Sequence, residues 1–268
     1  MTTAQAGMLA VDGYAIEFES LPATRPGPTL VLLHEGLGCV AMWRGFPRLL
    51  NAATGLAVFS YSRPGYGRSS PIVLPRALDF HTRDALEVLP RVLDSAGIAE
   101  CILLGHSDGA SIAVIYAGAG ADQRLRGLVL MAPHVLTEAK TVNNIATAKG
   151  LFATTDLRAK LQRYHGDNVD CAFKGWCDTW LADGFRNWDI SAYLPAITMP
   201  VLTLRGDDDA YNTPVHVERI AAGVGGQVTR VDLANCGHAP QVDQAERVLA
   251  AVTAFVATLT GQREGPTQ

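Results

Sequence analysis

Apolar residues along the chain recur at two spacings. Short alternating stretches at Met8–Asp12 and Tyr14–Leu21 flank Asp12-Gly13, a pairing that predicts an opening β-hairpin. Continuous apolar runs at 29–34 (TLVLLH), 57–62 (AVFSYS), 101–106 (CILLGH), 127–133 (GLVLMAP) and 201–206 (VLTLRG) predict buried strands, and 227–233 (QVTRVDL) adds another. Between these runs the spacing becomes helical. It predicts helices over 42–54, 79–96 (Ala85, Val88, Leu89, Val92, Leu93), 108–121, 213–224 and 244–259. The tail at 261–268 reads as frayed.

Strands alternating with helices imply an α/β fold: a mostly parallel, doubly wound sheet with helices on both faces and the N-terminal antiparallel hairpin at its edge. The pattern lapses over 136–195, where no buried strand is legible. That stretch reads as an insertion dividing one core into 1–135 and 196–268.

Composition narrows the class. A chain of 268 residues, 48% hydrophobic and 18% charged, suits a large globular domain with a sizeable core. A net charge of -4 leaves no electrostatic footprint for nucleic acid. No basic-then-apolar leader pattern stands at 1–13, and no apolar run is long enough to span a bilayer, so cytoplasmic residence without membrane attachment is the expectation. The five cysteines (39, 101, 171, 177, 236) show no CxxC spacing, so reduced thiols are expected and a metal site is not.

One turn carries the candidate chemistry. Gly105-His106-Ser107-Asp108-Gly109 joins a predicted strand to a predicted helix. Ser107 suits two roles there. As an N-cap it would bond the first turn of the helix, with Asp108 favouring the dipole. As a nucleophile it would need small flanking residues, because the chain must turn sharply to push the hydroxyl out at the sheet's carboxyl end. Serine also needs a base, and the base an orienting carboxylate. The chain supplies both after later strands: Arg205–Asp209 follows one and Asn235–Pro240 follows the next.

With these pieces in order the sequence resembles the α/β-hydrolase family over essentially its whole length. The matching motifs are HEGLG at 34–38, SRPGYGRS at 62–69, GHSDG at 105–109, GDDD at 206–209 and GH at 237–238. The resemblance implies Ser107 as nucleophile, His238 as base and an aspartate of 207–209 as orienter. The family's usual offset, three residues after the glycine, selects Asp209, with Asp207 and Asp208 read as a solvated turn. His34 is read as bracing the oxyanion loop.

An acyl-transfer site needs donors aimed at the developing oxyanion. The N–H after the nucleophile, on Asp108, is one. The second belongs to the loop after 29–34, with Gly36 the first choice and Leu37 the second. Glu35 stands where the family often has glycine; it is either a pocket acid or the salt-bridge partner of a nearby arginine, the structural role being preferred. The same loop fits G-x-G-x-x-A, and Arg63 after the next strand would suit an NADP phosphate, so a reductase is a remote alternative. It leaves Ser107, the aspartates and His238 without a role.

By the resemblance, 136–195 is a helical cap over the nucleophile. It holds Trp176, Trp180 and Trp188, and its charges balance at seven Lys/Arg against seven Asp/Glu. Glu35, His134, Trp176 and Trp180 are the candidate substrate-binding residues. The expected function is a serine hydrolase cleaving a small, largely apolar carboxylic ester, thioester or lactone through an acyl-enzyme. The alternatives are a C–C bond hydrolase of diketone-type acids and a non-catalytic ligand-binding member. The expected partner is a small-molecule substrate with no cofactor; a homo-oligomer is left open.

Overall fold

The computed structural model describes residues 4–120 and 122–261. The frayed tail expected at the C-terminus lies, from residue 262 on, outside the described residues. Eight strands form one sheet: β1 (Gln5–Val11), β2 (Tyr14–Leu21), β3 (Thr29–Leu33), β4 (Val58–Tyr61), β5 (Cys101–His106), β6 (Leu125–Met131), β7 (Val201–Gly206) and β8 (Val228–Leu233). Their order is β1-β2-β4-β3-β5-β6-β7-β8. β1 and β2 pair antiparallel, β2 meets β4 antiparallel, and every later pairing is parallel. The hairpin turns through Asp12 and Gly13, with φ of 47° and 80°. Positive φ at both central residues matches the turn to the twist of the strands.

Burial follows the sequence pattern. The central strands β4, β5 and β7 are buried at every position, because helices cover both faces of a parallel sheet. Edge strand β8 is half-open and carries Arg230 and Asp232. One face is covered by α1 (Phe46–Thr54) and, later in the chain, Ala245–Leu259; the other by α3 (Leu89–Ser95) and α4 (Asp108–Gly118), with α2 (Phe80–Arg83) packed on α4.

Two expected helices are interrupted. Residues 42–54 are a 3₁₀ turn, Val40–Trp43, followed by α1 rather than one helix. Arg44 takes a left-handed φ of 53° and Pro47 has no N–H, so the chain restarts its helix at Phe46. Residues 79–96 contain a π-helical turn, Asp84–Val88, between α2 and α3. Pro90 removes an N–H just beyond it, and the wider turn absorbs the break.

Between β6 and β7 lie α5 (Ala139–Thr154), α6 (Leu157–His165) and α7 (Val169–Trp180). Their neck is closed by a single bridge, Leu136 to Asp189, with Thr137 N–H donating to Trp188 and Ile190 N–H to Val135. Phe173, Trp176, Cys177 and Trp180 share one buried face of α7, as their spacing predicts, and join Phe80, Ile145 and Phe185 in a cluster of their own. After β7 come α8 (Val215–Gly223), α9 (Pro240–Asp243) and α10 (Ala245–Leu259).

Gly150 sits exposed inside α5, and a methyl group there would meet nothing within 4 Å. Gly150→Ala is therefore expected to stabilise the protein by about 0.5–1 kcal/mol, through lower backbone entropy in the unfolded chain. Urea unfolding checks it; an unchanged or lower midpoint would contradict the helix placement.

Candidate active site

Ser107 lies between β5 and α4 with φ 53° and ψ −116°, a region that side-chain-bearing residues avoid. Such a residue costs on the order of 1–3 kcal/mol and persists only where its surroundings over-determine it. Here they do. Its N–H donates to Met131 (2.9 Å), and its carbonyl accepts the N–H groups of Ala110 and Ser111. A Cβ on Gly105 would fall 2.4 Å from the Gly109 carbonyl oxygen, and one on Gly109 would fall 2.0 Å from that of Leu33. Only hydrogen fits at either position. The hydroxyl makes no N-cap bond. It points instead at His238, with Oγ 2.9 Å from Nε2.

His238 is brought in by the loop after β8. Its Nδ1 lies 2.8 Å from both Asp209 carboxylate oxygens. With Nδ1–H donating to Asp209, Nε2 is left to accept the Ser107 hydroxyl proton. Asp209 is wholly buried, whereas Asp207 and Asp208 are exposed. Its Oδ1 also accepts the N–H groups of Tyr211 (2.7 Å) and Asn212 (3.2 Å). Burial works to raise the Asp209 pKa. The hydrogen bond and charge of His238, then the Tyr211 N–H, outweigh it and hold the carboxyl below its usual range. Of the three aspartates, the geometry brings only Asp209 to the imidazole.

Ser107 opens onto a cavity of about 110 Å³, lined also by Glu35, Gly36, Leu37, Asp108 and His134. α7 contributes Trp176 and Trp180 to its lining, and α5 contributes Thr141 and Ile145. Thus the predicted residues meet at one place, with Asp209 behind His238. Among the described residues, the N–H groups of Gly36, Leu37 and Asp108 have no protein acceptor. Gly36 passes so close under Trp176 that a Cβ would stand 2.2 Å from the indole Nε1. His134 is held neutral, its pKa pushed well down by burial and then by His216 and His238. Two larger depressions, of about 360 and 440 Å³, lie elsewhere, and neither contains Ser107 or His238.

The surroundings correct two expectations. Glu35 pairs through its carboxylate with a histidine, not an arginine: Oε2 is 3.4 Å from His106 Nδ1. The arginine, Arg63, instead donates to the Glu35 backbone carbonyl (2.9 Å). Nor is Arg63 free to hold a phosphate. It is fully buried, 3.2 Å from Asp84, and its N–H donates to His34 Nε2 (3.1 Å). The glycine loop leads into a 3₁₀ turn rather than an α-helix, so the dinucleotide reading loses both its parts. His34 Nδ1–H donates to the Glu35 carbonyl (2.7 Å), which ties the loop down as expected.

Other functional neighbours were not legible as such. His106 donates from Nε2 to the His238 carbonyl (2.6 Å) and so holds the loop of the imidazole. His81 stands 3.2 Å from the buried Asp108 carboxylate and packs among Trp180, Phe185 and Trp188. No local spacing links residue 81 to residue 108; the only signal is a histidine on the apolar face of a helix.

Residues 30–251 match the Alpha/beta hydrolase family. The chain is 30% identical over 246 residues to "Putative carbamate hydrolase RutD" of Variovorax paradoxus, covering 80% of this chain and 86% of that one. It is 29% identical over 258 residues to "Polyketide synthase ThaQ" of Burkholderia thailandensis, covering 86% of this chain but spanning only 12% of that protein. A crystal structure of a membrane phospholipase A, described as a bacterial virulence factor, superposes with a TM-score of 0.77 at 22% identity, covering 96% of this chain and 87% of the other.

Asp108 generates a pH prediction. Burial alone would raise its pKa; His81 and then Arg63 reverse this and bring it down from 3.8 to about 2. A carboxyl depressed in the folded state contributes stability above its unfolded pKa and loses it as pH falls through the folded one. The contribution, on the order of 2 kcal/mol, is full above pH 3.8 and disappears toward about pH 2. Urea unfolding across this range should show a shallower acid loss for Asp108→Asn than for the parent. Equal slopes would mean that the carboxylate is not held by its neighbours.

Proposed function

The chain belongs to the α/β-hydrolase family, and we propose that it is a serine hydrolase acting on small, largely apolar carboxylic esters or related acyl compounds. The observation that carries the proposal is the contact sequence of Ser107 Oγ to His238 Nε2 at 2.9 Å and His238 Nδ1 to Asp209 at 2.8 Å.

In this reading His238 takes the hydroxyl proton as Oγ attacks the substrate carbonyl. The tetrahedral oxyanion forms against the N–H of Asp108 and that of Gly36 or Leu37, donors already oriented and without other acceptors. The imidazolium, stabilised by Asp209, then returns its proton to the leaving oxygen. An acyl group remains on Ser107. Water activated by His238 attacks that acyl carbonyl, the serine oxygen leaves with a proton, and a carboxylic acid and free enzyme result. The lining supports a neutral, compact acyl group: Ile145, Trp176 and Trp180 are apolar, His134 is neutral and Glu35 is paired with His106. A relative named as a carbamate hydrolase and a structural neighbour described as a phospholipase A fit attack at an ester-like carbonyl.

Ser107→Ala should abolish turnover of p-nitrophenyl esters. Asp209→Asn should lower kcat by about 10⁴-fold, the scale for neutralising the acid of such a site, while Asp207→Asn and Asp208→Asn stay near the parent. A crippling effect at 207 or 208 with little at 209 would contradict the assignment of the acid.

Acyl length tests the cavity. kcat/KM should rise by up to about fourfold per carbon over the first few carbons, since burying a methylene is worth about 0.8 kcal/mol, and then fall as the chain meets α7. Trp180→Ala should move the optimum to longer chains. A flat profile, or an optimum among charged substrates, would contradict an apolar bounded site.

A further inference from the structure

The loop that carries Asp209 is held largely by α5, a helix of the insertion. Lys140 Nζ donates to the backbone carbonyls of Asp209 (2.5 Å) and Asn212 (3.3 Å). Asn144 Nδ2 donates to the carbonyl of Ala210 (2.8 Å), and Thr141 Oγ1 to that of Tyr211 (2.5 Å). Just before the helix, the Glu138 carboxylate accepts the N–H and hydroxyl of Thr213 (3.0 and 2.6 Å) and touches the buried His216 (2.5 Å). Every residue from 209 to 213 is therefore gripped through its backbone by the first turns of one helix or the residue before it. The carbonyls gripped belong to the same turn whose N–H groups at 211 and 212 bind the Asp209 carboxylate.

We infer that Lys140, Thr141 and Asn144 are positioning residues that set the Asp209 carboxylate against His238, so that the insertion completes the acid–base relay as well as covering it. The inference rests on the proposed roles of Ser107, His238 and Asp209. Physically, a loop following a strand end has few constraints of its own, and a buried carboxylate must be held to within a fraction of an ångström to orient an imidazole. α5 supplies that constraint with side-chain donors on successive carbonyls. The same face of α5 presents Thr141 and Ile145 to the cavity, so the helix in contact with the acyl group also holds the acid.

Lys140 and Asn144 do not line the cavity, which separates positioning from binding. The Lys140→Met, Asn144→Ala double variant and each single variant are compared with the parent by ester kinetics, thermal unfolding and the low-field proton resonance of the His238 Nδ1–H. The double variant should remain folded, lose on the order of tenfold to a hundredfold in kcat with KM little changed, and lose or shift the low-field resonance upfield. Lys140→Arg, which keeps a cationic donor outside the cavity lining, should retain the parent's kcat and resonance. Folded variants with the parent's kcat and resonance would overturn the positioning role. Should the double variant not fold, the Lys140→Met and Asn144→Ala singles and Lys140→Arg decide the matter by the same criteria. A parent lacking the resonance would instead overturn the relay of His238 and Asp209 on which the inference rests.

Discussion

The structure depends on one close crossing. Where β5 passes into α4, the chain runs so near β3 that a methyl group at residue 109 would lie 2.0 Å from the Leu33 carbonyl oxygen, and one at 105 would lie 2.4 Å from that of Gly109. Within this contact Ser107 takes a φ of 53°. The hydroxyl is thereby projected from the sheet's carboxyl end, and the N–H of Asp108 opens the helix beside it. The parallel sheet then determines the rest. β7 and β8, two and three positions along from β5, end in loops that deliver an acid and an imidazole to the same edge.

The turn at Ser107 is supported from behind by buried polar side chains. Arg63 with Asp84, and His81 with Asp108, are taken out of water next to the turn. A buried ion pair such as Arg63 with Asp84 seldom adds net stability, because desolvation offsets much of the attraction, yet removing one partner leaves a costly unpaired charge. The effect here is positional. Arg63 holds the backbone of Glu35 and the ring of His34, which fixes the loop with Gly36 and Leu37. The Asp108 carboxylate lies 3.2 Å from His81, and its backbone N–H has no acceptor among the described residues. On the other side of the cavity, α5 holds the turn that follows Asp209.

Much of this was legible because the signals are local. Apolar runs long enough for a strand and bounded by glycine or proline gave β3, β5, β6 and β7, and Asp12-Gly13 gave the hairpin. Ser107 and its two glycines stand within five residues, and Asp209 stands at a set distance from Gly206. What was not legible is long-range or depends on backbone detail. Apolar spacing cannot show that Arg44 leaves the helical region, nor that a π turn precedes Pro90. Glu35 could not be matched to His106 across some seventy residues, so an arginine was the natural partner by charge alone. Likewise nothing in the sequence singles out Lys140, Thr141 and Asn144, because backbone carbonyls as acceptors leave no trace in side-chain pattern.

The central claim, that Ser107 forms the covalent bond, is tested most directly by trapping the intermediate. The protein is mixed with a p-nitrophenyl ester, quenched in acid within milliseconds, digested and analysed by mass spectrometry. The expected result is one added acyl group, mapped to Ser107, that disappears as the ester is exhausted. Turnover of the ester with the acyl group on another residue would contradict the account.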